Sequence, residues 1–110
     1  MGHSPEVRAA LAVVCAMAGQ RDRADALLAG LASTAATQYV SPAQTGQVKL
    51  ALGDVDGAFK DIERAIDSRA VEVIWLEARP TYAPLRADSR FAALIARRQA
   101  ARRLATETRV

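Results

Sequence analysis

Apolar residues recur along this chain at helical intervals. From Val7 they fall at Ala10, Leu11, Val14, Met17 and Ala18, the i, i+3, i+4, i+7 spacing of one helix face, which predicts a helix turned toward a core. A second face runs through Val55, Ala58, Phe59, Ile62, Ala65 and Ile66. Opposite it Asp56, Lys60, Asp61, Glu63, Arg64 and Asp67 form a stripe expected to face water. Ser4-Pro5 and Ser41-Pro42 each read as an N-cap followed by proline at the first helical position. Gly19 and Gly53 stand where a helix must stop and reverse, a task that favours a left-handed residue. Asp54 is placed to cap the helix after Gly53, and Asp88 to cap a last helix whose core side is Phe91, Leu94 and Ile95. Between them Val71-Glu72-Val73-Ile74-Trp75-Leu76 alternates as a strand would, and Pro80 and Pro84 force a compact turn.

Laid on itself, the chain matches at an offset of 34 residues: Ala12 with Gly46, Val14 with Val48, Gly19 with Gly53, Ala24 with Ala58, Leu28 with Ile62 and Ala32 with Ile66. Small residues at the 12/46 and 24/58 positions let paired helices approach closely; a leucine there would hold them apart. A period of 34 with helix–turn–helix punctuation is the tetratricopeptide spacing. Tyr39-Val40-Ser41-Pro42, Leu52-Gly53-Asp54, Ala58-Phe59 and Ile66 resemble the repeat of bacterial tetratricopeptide proteins. Residues 80–91, from Pro80-Thr81-Tyr82 to Ser89-Arg90-Phe91, resemble the stretch that closes such arrays at the C-terminal end of bacterial signalling and regulatory proteins. Ser89 stands where that group has proline, and Thr81 where it often has arginine.

The resemblance implies an all-α, tetratricopeptide-like α-α solenoid: two helical hairpins, a short helix over 71–76 instead of a strand, and a C-terminal capping helix. Repeat one is expected over 5–38, repeat two over 41–70 and a closing segment over 71–104, with a flexible tail at 105–110. Residues 1–4, which include the lone His3, read as a start codon plus cloning remnant. Trp75, Tyr82, Leu85 and Phe91 are expected to form an apolar plug that stands in for a third repeat, since about three are needed for stability.

Composition narrows the function classes. Hydrophobic residues make up 51% of the chain and aromatic residues 5%, which favours close-packed helices over a sheet built on aromatic and β-branched residues. One cysteine excludes an intrachain disulfide and fits a reducing, cytoplasmic setting. The ten-residue apolar run at 9–18 mimics a signal peptide but is too short to span a bilayer. Charge is uneven: residues 1–78 carry seven basic and ten acidic side chains, whereas 79–110 carry eight arginines against Asp88 and Glu107. Arg97, Arg98, Arg102 and Arg103 are therefore candidate phosphate contacts on the last helix. No aromatic residue is interleaved with them, and arginines near a helix C-terminus also follow from helix propensity and dipole.

No residue constellation points to catalysis, a cofactor or a metal. Cys15 has no histidine nearby and reads as a buried structural thiol. Asp54 and Asp56 lack a third ligand at suitable spacing. Asp61, Glu63 and Asp67 are interleaved with Lys60 and Arg64, as on an exposed charged helix face. The expectation is a non-enzymatic interaction and assembly module whose partner is another protein or a neighbouring domain of a larger bacterial signalling or transcription-regulatory protein. From the way such repeats use their concave groove, the resemblance assigns Val13, Met17, Gln47 and Leu50 to partner contact. Self-association through the outward face of the first hairpin is also expected. The alternatives are a nucleic-acid-binding accessory acting through the arginine-rich helix, and a structural spacer.

Overall fold

Proline after a serine cap starts both hairpins. In the computed structural model, which describes residues 4–107, α1 (Pro5–Met17) and α2 (Arg21–Thr34) form the first hairpin and α3 (Pro42–Ala51) and α4 (Val55–Asp67) the second. The Ser4 hydroxyl accepts from the Val7 amide and the Ser41 hydroxyl from the Ala43 amide, both at 3.3 Å. Asp54 caps α4 by accepting from the Gly57 amide at 3.0 Å. A 3-10 helix (Val71–Trp75), a 3-10 turn (Pro80–Tyr82), α5 (Ala83–Arg86) and α6 (Phe91–Glu107) complete the chain. The described residues contain helices and no strand. Residues 1–3 and 108–110, parts of the expected remnant and tail, lie outside the described residues, and α6 continues into that tail as far as Glu107.

Three helices end with the same double hydrogen bond. At the end of α1 the Gln20 amide donates to the Cys15 carbonyl and the Gly19 amide to Ala16; Asp54 and Gly53 repeat this on Lys49 and Leu50 at the end of α3. Both turns need a left-handed residue, and glycine supplies it with φ of 82° and 87°. At the end of α4 the Ala70 amide reaches Ala65 and the Arg69 amide Ile66, but here the left-handed residue is Arg69, with φ 61°.

α3 is the joint of the molecule. It packs on α1 and α2 on one side and on α4 and both 3-10 segments on the other. Its apolar residues divide accordingly: Val48, with the C-cap residue Leu52, belongs to the core of the first hairpin, while Ala43 and Leu50 belong to that of the second. Ala12, Ala24 and Ala58 are fully buried. A Cβ added at Gly46 would lie 3.0 Å from Ile62 Cδ1, so the α3–α4 crossing uses the space that glycine leaves. α3 is covered nearly all round, and Thr45, Gln47 and Lys49 are engaged by neighbouring side chains, while Gln44 Oε1 is buried with no hydrogen-bond partner. The Thr45 hydroxyl donates to Asp61 at 2.8 Å, and Lys49 Nζ lies 2.9 Å from the same carboxylate.

Three expectations about side-chain placement need correction. The buried face of α1 is Ala9, Ala12 and Cys15, whereas Val14 is 61% and Met17 76% exposed, with Val7 exposed beside them. The helix is apolar nearly all round, so periodicity offered two faces. Close packing on α2 and α3 takes the small one and leaves the large residues at the open end of the stack. Asp61 is not on the solvated stripe of α4 but 2% exposed, held by Thr45, Lys49 and Arg64. Finally, Tyr82 and Leu85 are fully buried as a plug should be and Phe91 packs against them, but Trp75 is exposed, under the Arg79 guanidinium at 5.5 Å.

Candidate functional site

The residues assigned to a groove converge. Val13 and Met17, one turn apart on α1, and Gln47 and Leu50 on α3 line a single concavity of about 220 Å3. Met17 stands at its rim, Val13 and Gln47 are half-buried, and Leu50 is buried at the floor. The far wall is Pro80, Thr81 and Pro84 of the closing segment. Thr81 donates its hydroxyl proton to Gln47 Oε1 at 3.3 Å, which fixes the carboxamide across the floor.

The far wall was absent from the assignment made on sequence, yet its signal was there. Thr81 lies 34 residues after Gln47, which lies 34 after Val13, and Pro84 stands in the same relation to Leu50. The closing segment thus supplies a third copy of the groove-lining position. No helix periodicity marks it, because two prolines break the segment into short turns.

No charged side chain lines the concavity. Its walls offer apolar contact plus the Gln47 and Thr81 polar groups, a composition suited to holding an apolar side chain beside a hydrogen-bonding backbone. Beneath it Tyr82 is enclosed, and burial pushes its phenol up to about 12. Among the described residues no cluster of histidine, cysteine, aspartate or glutamate is arranged to hold a metal. Cys15 is buried, as expected of a structural thiol. Among the described residues no helix is long and apolar enough to cross a membrane.

The arginines of the C-terminal segment serve mainly as internal ties. Arg97 makes a two-pronged contact with Asp67 of α4, at 2.9 and 2.6 Å. Arg98, proposed from sequence as a phosphate contact, is only 6% exposed; it grips both oxygens of Glu77 at 2.6 and 2.7 Å and donates to the Val73 carbonyl. Arg86 donates to the Leu76 and Arg79 carbonyls, both at 2.9 Å. Arg90 joins Asp88 to Asp56 and lies 4.3 Å over the Phe59 ring. Its hydrogen bonds, with the Arg90 amide, hold the Asp88 carboxyl down at about 2. Of the four candidate phosphate contacts Arg97, Arg102 and Arg103 are exposed, and Arg102 faces Glu77 through space. Arg90, Arg97 and Arg98 of the basic segment thus pair with Asp56, Asp67 and Glu77 of the acidic body within the fold.

No protein-family model matches the chain, and no curated protein or solved structure matches it either.

Proposed function

We propose that the chain is a tetratricopeptide-like α-α solenoid, of two hairpins and a closing unit, that works as a protein–protein interaction and assembly module. It holds a segment of a partner, or a neighbouring domain of a larger bacterial signalling or regulatory protein, along its concave face. Binding and not catalysis is the proposed activity.

The observation that carries this reading is the convergence of Val13, Met17, Gln47 and Leu50, with Thr81 and Pro84, on one uncharged concavity. Its small size suits one or two apolar anchor side chains, so each contact is weak unless the partner is tethered nearby. The internal pairing of Arg97 and Arg98 turns the balance away from a nucleic-acid accessory. A separate observation supports self-association: Val7, Val14 and Met17 leave a band of large apolar side chains on the free face of α1.

The groove is tested with Met17→Glu and Gln47→Glu, both of which alter its lining without removing a core residue. Immobilised wild-type chain retains its partner from an extract of the source cells, or the adjoining domain added as a separate fragment, and both variants lose it. Retention by both variants contradicts the groove reading and favours a spacer. Light scattering of Val14→Lys checks self-association: wild-type chain grows in mass with concentration, the variant stays monomeric, and a wild-type monomer at every concentration removes the idea.

A further inference from the structure

Side chains left exposed on α1 differ in kind from those on α4. Within Pro5–Met17 the exposed residues are Glu6, Val7, Ala10, Val14 and Met17, so a single charge stands on that face. On α4 they are Asp56, Lys60, Arg64 and Asp67, all charged. A solvated helix face carries charge, as α4 does. The α1 face has instead the composition of an interface core, from which charge is depleted.

Spacing gives this face a shape. Val7, Ala10, Val14 and Met17 follow one another at intervals of three, four and three, the a/d rhythm of two heptads. At about 100° per residue the seam falls on the opposite side of the helix from Ala9, Ala12 and Cys15, which are buried in the core shared with α2 and α3. The hairpin holds α1 by one side and presents the other whole.

We infer that this seam is occupied by the same seam of a second copy, with the two α1 helices antiparallel about a two-fold axis. The inference rests on the self-association proposed above and adds its direction and register. Antiparallel pairing sets Val7 across from Met17 of the second copy and Ala10 across from its Val14, so every layer joins a smaller residue to a larger one. Parallel pairing sets Ala10 on Ala10 between two valine layers and leaves a gap there. Charge favours the same direction. In a parallel pair the two Glu6 carboxylates stand side by side; in the antiparallel pair they lie about 18 Å apart along the axis, roughly twice the screening length at physiological salt.

Size makes the pair weak. The 13 residues of α1 form a helix about 20 Å long, too short by itself to bury the roughly 1,600 Å2 of a standard interface, which puts the Kd on the order of 100 µM. Met17 serves two surfaces, because it also stands at the rim of the concavity between α1, α3 and the closing segment. Pairing brings Val7 of the second copy against Met17. Each copy thus extends the apolar rim of the other's concavity, and the dimer carries two such sites.

The experiment is disulfide trapping in the full chain, with Cys15 replaced by alanine so that no other thiol takes part. Val7→Cys and Met17→Cys chains are mixed in equal amounts at about 300 µM, oxidised, and the cross-linked products distinguished by mass. Both positions are exposed, and circular dichroism checks that the helices are kept. A disulfide needs Cα atoms within about 7 Å, whereas like positions lie about 15 Å apart along an antiparallel pair. The 7–17 product should therefore exceed the 7–7 and 17–17 products together by at least about fivefold, and Val14→Lys added to both chains should abolish it. An excess of 7–7 and 17–17 overturns the direction while self-association stands. Statistical mixing of the three products, or a 7–17 product that survives Val14→Lys, overturns the paired seam. A wild-type chain that light scattering finds monomeric up to the same concentration removes the self-association reading and this inference with it.

Discussion

Replacing Lys49 and Arg64 with alanine, singly and together, probes the one fully buried carboxylate of the second hairpin. Asp61 is 2% exposed and has three partners: the Thr45 hydroxyl at 2.8 Å, Lys49 Nζ at 2.9 Å, and the Arg64 guanidinium one turn along α4. Removing one cation leaves the other in place. Arg64 is largely exposed, so its loss costs about 0.5 kcal/mol, and the less exposed Lys49 costs about 1 kcal/mol. Removing both leaves an enclosed carboxylate with a single hydroxyl donor, a situation that costs about 3–5 kcal/mol. The double variant must therefore exceed the sum of the singles by at least about 1 kcal/mol. Asp61→Ala is the control: it strands no buried charge, because Lys49 and Arg64 both reach water, and it costs about 1.5–3 kcal/mol. Urea unfolding followed by circular dichroism measures all four. Additive losses, or an Asp61→Ala loss larger than that of the double variant, refute the argument that burial of this carboxylate governs the energetics.

Other consequences follow from packing and ionisation. Ala58→Leu places a large side chain at the fully buried α3–α4 crossing and should cost about 1–3 kcal/mol or more, whereas Ala93→Leu on the exposed side of α6 should stay within about 0.5 kcal/mol in thermal unfolding. The Tyr82 phenol is raised by burial from its ordinary 10 to about 12. Its neutral form is favoured in the fold, so this contribution is whole below pH 10 and lost as pH rises through about 12; alkaline unfolding of Tyr82→Phe should lack that component. The Asp88 carboxyl is held by Arg90 at about 2, below its ordinary 3.8. Its contribution is present above pH 4 and lost as pH falls toward 2, and Arg90→Gln should flatten the acid limb of the stability curve.

How much of this could be read in the chain depended on whether a residue's role was local. Ser4, Ser41, Asp54, Gly19 and Gly53 act on their own helix ends, and their neighbours in sequence suffice to assign them. Ala24, Ala58 and Gly46 were legible from the 34-residue offset, because a small residue recurring in an otherwise bulky helix signals a close approach. Asp61 was not legible. On α4 it sits among Lys60, Glu63 and Arg64, and only the position of Thr45 and Lys49 on α3 takes it out of water. The α1 stripe failed for the opposite reason: both of its faces are apolar, and the competition was settled by which face let α2 and α3 come close. Trp75 was expected inside on its hydrophobicity, but a short 3-10 helix turns it outward to Arg79. At the groove, the lining from α1 and α3 followed from the resemblance. Thr81 and Pro84 did not, since their register shows only when the offset is carried past the last regular helix.

The most direct test of the concave-face account is site-specific photo-crosslinking in the cell of origin, with a benzophenone side chain placed at Met17 or, as a reference, at the exposed Lys60 on α4. The account predicts one dominant adduct, to a partner protein or within the parent chain, formed from position 17 and absent from position 60. Adducts formed equally from both positions, or only from position 60, would contradict it.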